Sequence, residues 1–104
     1  MTIRSDDITQ ASALIRKDFG IESKDLHNHE IIDELHAQLV IVISYLLDKD
    51  FNRLLNAVYR IDISEQKLQK ALSVDPPNMV APSIATLILE RELQKVETRK
   101  KYRP

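Results

Sequence analysis

The sequence predicts an all-α fold, a single domain over residues 1–104 built as a small bundle of four or five helices. Three observations predict it. Apolar residues recur at helical spacing along most of the chain, most cleanly in Phe51, Leu54, Leu55 and Val58 at i, i+3, i+4 and i+7. Turn residues are scarce: one glycine, Gly20, and four prolines, Pro76, Pro77, Pro82 and Pro104, too few to punctuate a many-stranded sheet. The run "LVIVIS", Leu39 to Ser44, is β-branched enough for a strand, yet no partner strand is in sight elsewhere.

The first helix is expected from Asp7 to Phe19. Ser5, Asp6 and Asp7 supply capping oxygens and negative charge at its start. Ile8, Ala11, Leu14, Ile15 and Phe19 make its apolar face, and Gly20 follows where a left-handed residue is wanted. The segment from Ile21 to His27 reads as a connection. The second helix is expected from His29 to Leu47, with Asn28 as N-cap and Ile32, Leu35, Leu39, Val42, Ile43 and Leu46 on one stripe. After Val40 it is apolar nearly all round, so its C-terminal half is expected to be the most buried part of the fold.

The "DKD" at 48–50 breaks the pattern and offers caps for a third helix. Asp62 with Glu65 three residues later resembles a capping box for a short fourth helix, about Ser64 to Leu72, that buries Leu68, Ala71 and Leu72. "SVDPPNMVAPS" is a loop, because two adjacent prolines cannot continue a helix. Pro82 suits the first turn of a fifth helix reaching about Lys101. That helix carries two apolar stripes. Ile84, Leu87 and Ile88 form one, and Ala85, Leu89, Leu93 and Val96 form another, rotated by roughly 120°. The second stripe needs a cover: the first helix, or a second molecule.

Composition closes several functional classes. At 104 residues the chain can bury only a small core, which makes self-association a reasonable source of extra burial. Apolar residues are 43% and charged residues 30%, as in folded globular proteins. A net charge of −1 provides no global attraction to nucleic acid or membrane. Without cysteine there is no disulfide, thiol nucleophile or thiolate-bound metal. One glycine cannot build a phosphate-binding glycine loop. The longest apolar run, "LVIVISYLL", rises only about 14 Å as a helix, against roughly 30 Å of hydrocarbon. "MTIRSDDITQ" lacks the apolar core of a secretory signal, so the cytoplasm is the expected compartment.

Two segments taken together, "YLLDKDFNRLLNAVYRIDISEQK" and "ILERELQKVETRKKY", resemble a family of short bacterial helical proteins of uncharacterised activity. The resemblance covers residues 30 to 102 and implies a soluble helical protein. It implies no activity, cofactor or catalytic residue.

Every histidine of the chain lies in "HNHEIIDELH", residues 27–36. His29, Asp33 and His36 are spaced i, i+4, i+7 and fall within about 60° of each other on a helical wheel. Imidazole and carboxylate suit zinc, iron or manganese. Further ligands would have to come from facing helices or from a symmetry-related copy. The plainer interpretation is a helix start rich in acidic residues, Glu30, Asp33 and Glu34, with the histidines at the edge of a buried stripe.

Three other polar clusters each admit a functional and a structural role. Tyr59, Arg60, Asp62 and Glu65 could clamp an anion and move a proton, or could cap a helix and pair locally. Arg91 could clamp a ligand, or brace two helices against Asp62 or Glu65. The tail "TRKKYRP" could contact phosphates through Arg99, Lys100, Lys101 and Arg103, or could be a helix C-terminus whose cations oppose the dipole.

The expected function is a non-enzymatic helical module that acts through protein contacts, as a homodimer or a small accessory subunit, with no cofactor. Its expected interface is Ala85, Leu89, Leu93 and Val96. The rival is a metal-binding bundle, possibly a dimeric metal-dependent enzyme, using the His29, Asp33 and His36 face. A third reading, weak nucleic-acid binding through the basic C-terminus, is disfavoured by the overall charge.

Overall fold

The computed structural model describes residues 5–20, 32–74 and 76–101. Among them are five α-helices: α1 (Ser5–Phe19), α2 (Ile32–Lys49), α3 (Phe51–Ile61), α4 (Glu65–Leu72) and α5 (Val80–Lys101), with a single 3-10 turn at Pro77–Met79 before the last. No described residue is in a strand, so the fold is the all-α bundle. The β-branched run 39–44 sits in the middle of α2. Its β propensity yields to the tertiary gain of burying Leu39 and Ile43 completely.

The helix boundaries follow from identifiable chemistry. Gly20 stops α1 with φ 65 and donates its N–H to the Lys17 carbonyl at 3.2 Å. Asp50 alone separates α2 from α3. It closes α2 by donating its N–H to the Leu46 carbonyl at 2.9 Å, and opens α3 by accepting the Arg53 N–H on its side chain at 3.2 Å. The capping box expected at Asp62 and Glu65 is corrected here. Asp62 is the left-handed stop of α3, φ 68, with its N–H on the Val58 and Tyr59 carbonyls, and Ile63 donates back to Val58. Ser64 caps α4 instead, accepting the Lys67 N–H at 3.2 Å. α5 starts at Val80, which places Pro82 in its first turn, where its missing N–H is harmless.

α5 is the axis of the molecule. It packs against α1, α2, α4 and, less extensively, α3, while α3 also bridges α1 and α2. One core joins all five helices: Ile8, Ile15 and Phe19 meet Leu35, Leu39, Ile43 and Leu46, the inner face of α3, Leu68 and Ala71 of α4, and Ile84, Ala85, Ile88 and Leu89 of α5. A smaller cluster continues it toward the end of α5, where Ala11 and Leu14 of α1 close over Leu93 and Val96, with Ile32 of α2 at the side.

That smaller cluster corrects the expected interface. Ala85, Leu89, Leu93 and Val96 are between 0% and 6% exposed within the single chain. α1 covers Leu93 and Val96, and Ala85 and Leu89 lie in the main core, so the stripe is no free surface for a second molecule. A second expectation also changes. The C-terminal half of α2 is not buried all round: Leu39, Ile43 and Leu46 face the core, but Ile41 and Tyr45 on the far side are 63% and 62% exposed.

Candidate functional site

Two clefts open on either flank of α5, and Glu90 lines both. The first, between α2 and α5, has a volume of about 380 Å³. Ile32, Leu89 and Leu93 give it apolar walls, and Asp33, His36, Thr86 and Glu90 give it polar groups. His36 is held there because α2 places it one turn below Ile32 and faces it toward the first turns of α5. Its Nε2 lies 3.2 Å from both the Pro82 carbonyl and the Thr86 hydroxyl. A carbonyl can only accept, so this nitrogen carries the proton and donates. His36 therefore staples α2 to α5, and only its Nδ1 is left to accept or ligate.

Of the three residues expected to form a metal face, Asp33 and His36 line the same cleft, Asp33 in the exposed position. His29 lies outside the described residues. Among the described residues, no group of three His, Cys, Asp or Glu side chains is close enough together to hold a metal ion.

The second cleft, about 420 Å³, lies between the α3–α4 junction and α5. Ile63 and Leu87 line it together with Asp62, Ser64, Lys67, Glu90, Arg91 and Gln94. Arg91 reaches Asp62 at 3.4 Å and Gln94 Oε1 at 3.0 Å, so it braces α5 against the α3 terminus. The cluster of Tyr59, Arg60, Asp62 and Glu65 is not assembled here. Arg60 donates instead to the Asp18 carbonyl of α1 at 3.3 Å, and neither Tyr59 nor Glu65 reaches the cleft lining. The charged groups that do line the cleft are Asp62, Lys67, Glu90 and Arg91.

The end of α1 is a polar junction that periodicity does not reveal. The Arg53 guanidinium donates to the carbonyls of Phe19, at 3.2 and 3.4 Å, and Gly20, at 3.1 Å. These are among the carbonyls a helix leaves without partners at its C-terminus. At the opposite end of the same helix Lys100 forms an ion pair with Asp7. The basic C-terminus is therefore partly structural: Lys100 is engaged, Arg99 and Lys101 are exposed, and Arg103 lies outside the described residues.

Glu92 also escapes a reading by apolar stripes. It sits between the two stripes of α5 and is 0% exposed, and neither of its oxygens has a partner within hydrogen-bonding distance. Burial pushes its carboxyl up to about 8; the Asp18 carboxyl nearby adds to the rise, while Lys95 and Arg91 oppose it. The Lys95 ammonium is 3.8 Å from both Asp18 and Glu92. A signal was available: a glutamate flanked at −3, +1 and +4 by Leu89, Leu93 and Val96 lies on an apolar face.

The outward face of α2 is the remaining candidate. Ile41 and Tyr45 stand one turn apart, with Ala37 exposed one turn before them. Acidic Asp33, Glu34 and Asp48 lie at its two ends. Comparison with family models, with curated proteins and with solved structures returns no match. No helix among the described residues is long and apolar enough to cross a membrane.

Proposed function

We propose that this chain is a non-enzymatic protein–protein interaction module that docks through the outward face of α2, as a homodimer or as an accessory subunit of another protein. One observation carries the proposal: Ile41 and Tyr45 are each more than 60% exposed, one turn apart, on a helix whose inner face is fully used by the core. Single exposed apolar residues are ordinary on protein surfaces. A paired aliphatic and aromatic side chain on one rigid helix is a different case, because both anchors are ordered before a partner arrives. Fully burying such a side chain is worth about 1.5–3 kcal/mol, and tyrosine is among the residues that most often dominate an interface.

The test is sedimentation of the wild type and of an Ile41→Asp, Tyr45→Ser variant, with a photo-crosslinking residue placed at position 45 in parallel. A complex heavier than the 12.0 kDa chain that is lost in the variant, while helicity and melting temperature are kept, supports the reading. A wild type that stays at single-chain mass at high concentration, and whose position 45 crosslinks to no protein, ends it.

A further inference from the structure

α1 is tied by polar groups at both ends, to α5 at its start and to α3 at its end, and a poorly solvated acid of α5 lies against it. Lys100 holds Asp7 near the start of α1, and Arg53 and Arg60 of α3 hold the carbonyls at its end. Between them lies Glu92, completely buried, with no N–H donor in reach of either oxygen and the Asp18 carboxyl as its acidic neighbour. A carboxylate is strongly disfavoured in such a place unless a counter-charge belongs to it alone. Here the nearest cation is shared: Lys95 stands 3.8 Å from Glu92 and 3.8 Å from Asp18. With both acids ionised, the cluster has two negative charges and one positive. One proton balances it and leaves an Asp18–Lys95 ion pair beside a neutral acid.

Which acid holds the proton follows from solvation. Asp18 keeps 14% of its side-chain surface in water, whereas Glu92 keeps none. The charged groups acting on Glu92 are Asp18 from α1 and, from its own helix, Lys95 and Arg91. Arg60 of α3 donates to the Asp18 backbone carbonyl and is not among them. Arg91 is engaged with Asp62 and Gln94.

We propose that α1 is a proton-linked latch on α5: it seats over Leu93 and Val96 with Glu92 carrying a proton, and lifts when that proton is lost. Lifting admits water to Glu92 and returns it to ordinary carboxylate behaviour. It also bares the apolar end of α5, the half of the stripe that Ala11 and Leu14 cover. Burial holds the Glu92 pKa up at about 8, so the seat weakens progressively from about pH 4.5 and the loss is complete above about pH 8. The latch is independent of the α2 docking face.

Amide hydrogen exchange on the intact chain tests it, with rates corrected for intrinsic exchange, from about pH 6 to about pH 8. Linkage predicts that protection of α1 amides falls about tenfold per pH unit across this window. The latch also requires α1 to be less protected than the core amides of α2, because it opens separately, and Glu92→Gln to abolish the α1 slope. If α1 and α2 exchange together at every pH, α1 has no separate opening and the latch is wrong. A slope that survives in a folded Glu92→Gln overturns it as well. If that variant fails to fold, carbon-detected NMR titration of the wild-type Glu92 carboxyl decides: retention of its proton above about pH 6.5 supports the latch, and titration in the ordinary glutamate range overturns it.

Discussion

At the scale of single residues, the consequential positions are those where the apolar pattern is interrupted. Glu92 has a definite sign of pH dependence. Its folded-state value is about 8, against 4.5 for the free side chain, so the folded protein binds the extra proton between those limits. Its contribution is fully present below about pH 4.5 and is lost as pH rises through about 8, with a limiting slope of about 1.4 kcal/mol per pH unit. Urea melts at about pH 5.5 and about pH 8 read this directly: Glu92→Gln is expected to flatten the loss of stability seen in the wild type, and an unchanged slope would assign it to another group. Arg53 is the second such position. Arg53→Ala frees the carbonyls of Phe19 and Gly20 and is expected to cost about 1 kcal/mol in the same melts. Gly20→Ala has room for its methyl, the nearest atom being Arg53 Nη2 at 4.0 Å, so its cost of about 1–2 kcal/mol comes from the backbone at φ 65 alone. Gly20 was legible in the sequence because a lone glycine after an apolar repeat has one common use. Arg53 was not, since its partners are backbone atoms 33 and 34 positions away and no local pattern encodes them.

At the scale of elements, periodicity identified the helices well and their neighbours poorly. It placed the inner face of α1 correctly, because spacing at i, i+3, i+4 and i+7 states which side of a helix is apolar. On α3 it placed Leu54 and Val58 in the core, but Phe51 is 40% exposed and Leu55 only half-buried, and Ala57 and Ile61 complete the buried face instead. It could not state what covers that side. The stripe of Ala85, Leu89, Leu93 and Val96 asks equally for a second chain or for α1, and the tertiary arrangement sets α1 over Leu93 and Val96 and takes Ala85 and Leu89 into the main core. The choice has a measurable consequence. Leu93→Ala is expected to destabilise the chain by about 2–5 kcal/mol, the range for emptying a packed leucine site. Chemical denaturation checks this. A stability within about 0.5 kcal/mol of wild type would mean that Leu93 is not packed under α1. The boundary between α3 and α4 shows the same limit. Asp62 and Ser64 are both good cap residues two positions apart, and the winner is set by the left-handed turn that redirects the chain at Asp62, a non-local requirement. The His36 staple between α2 and α5 belongs here too. His36→Ala removes a donor to the Pro82 carbonyl, and a loss of about 0.5–1.5 kcal/mol is expected irrespective of added zinc or chelator. A loss that appears only on chelation would instead return the histidine face to metal binding.

At the scale of the whole molecule, the distribution of charge and apolar surface separates protein contact from nucleic-acid contact. The outward face of α2 was hidden in the sequence, because Ile41 and Tyr45 continue an apolar run that also holds the core residues Leu39, Ile43 and Leu46. The basic C-terminus was conspicuous in the sequence, and it is here that composition misleads most easily. Four cations in the last six residues look like a phosphate-binding tail. One of them, Lys100, is ion-paired with Asp7, a carboxylate that is only 5% exposed and sits on α1. For Lys100 to bind a phosphate it would have to leave that carboxylate inside the α1–α5 seam, and losing a counter-ion from a buried acid is costly. With the net charge at −1, no long-range attraction offsets this cost. The expected behaviour is weak association with a mixed-sequence oligonucleotide, with a log–log salt slope no steeper than about −3, as for at most three phosphate contacts through Arg99, Lys101 and Arg103. Fluorescence anisotropy between about 50 and 200 mM salt measures both quantities. Submicromolar binding at about 150 mM salt, with a slope that becomes shallower by about one unit in Lys100→Ala, would show that Lys100 does reach phosphate, and that the Asp7 tie gives way to nucleic acid.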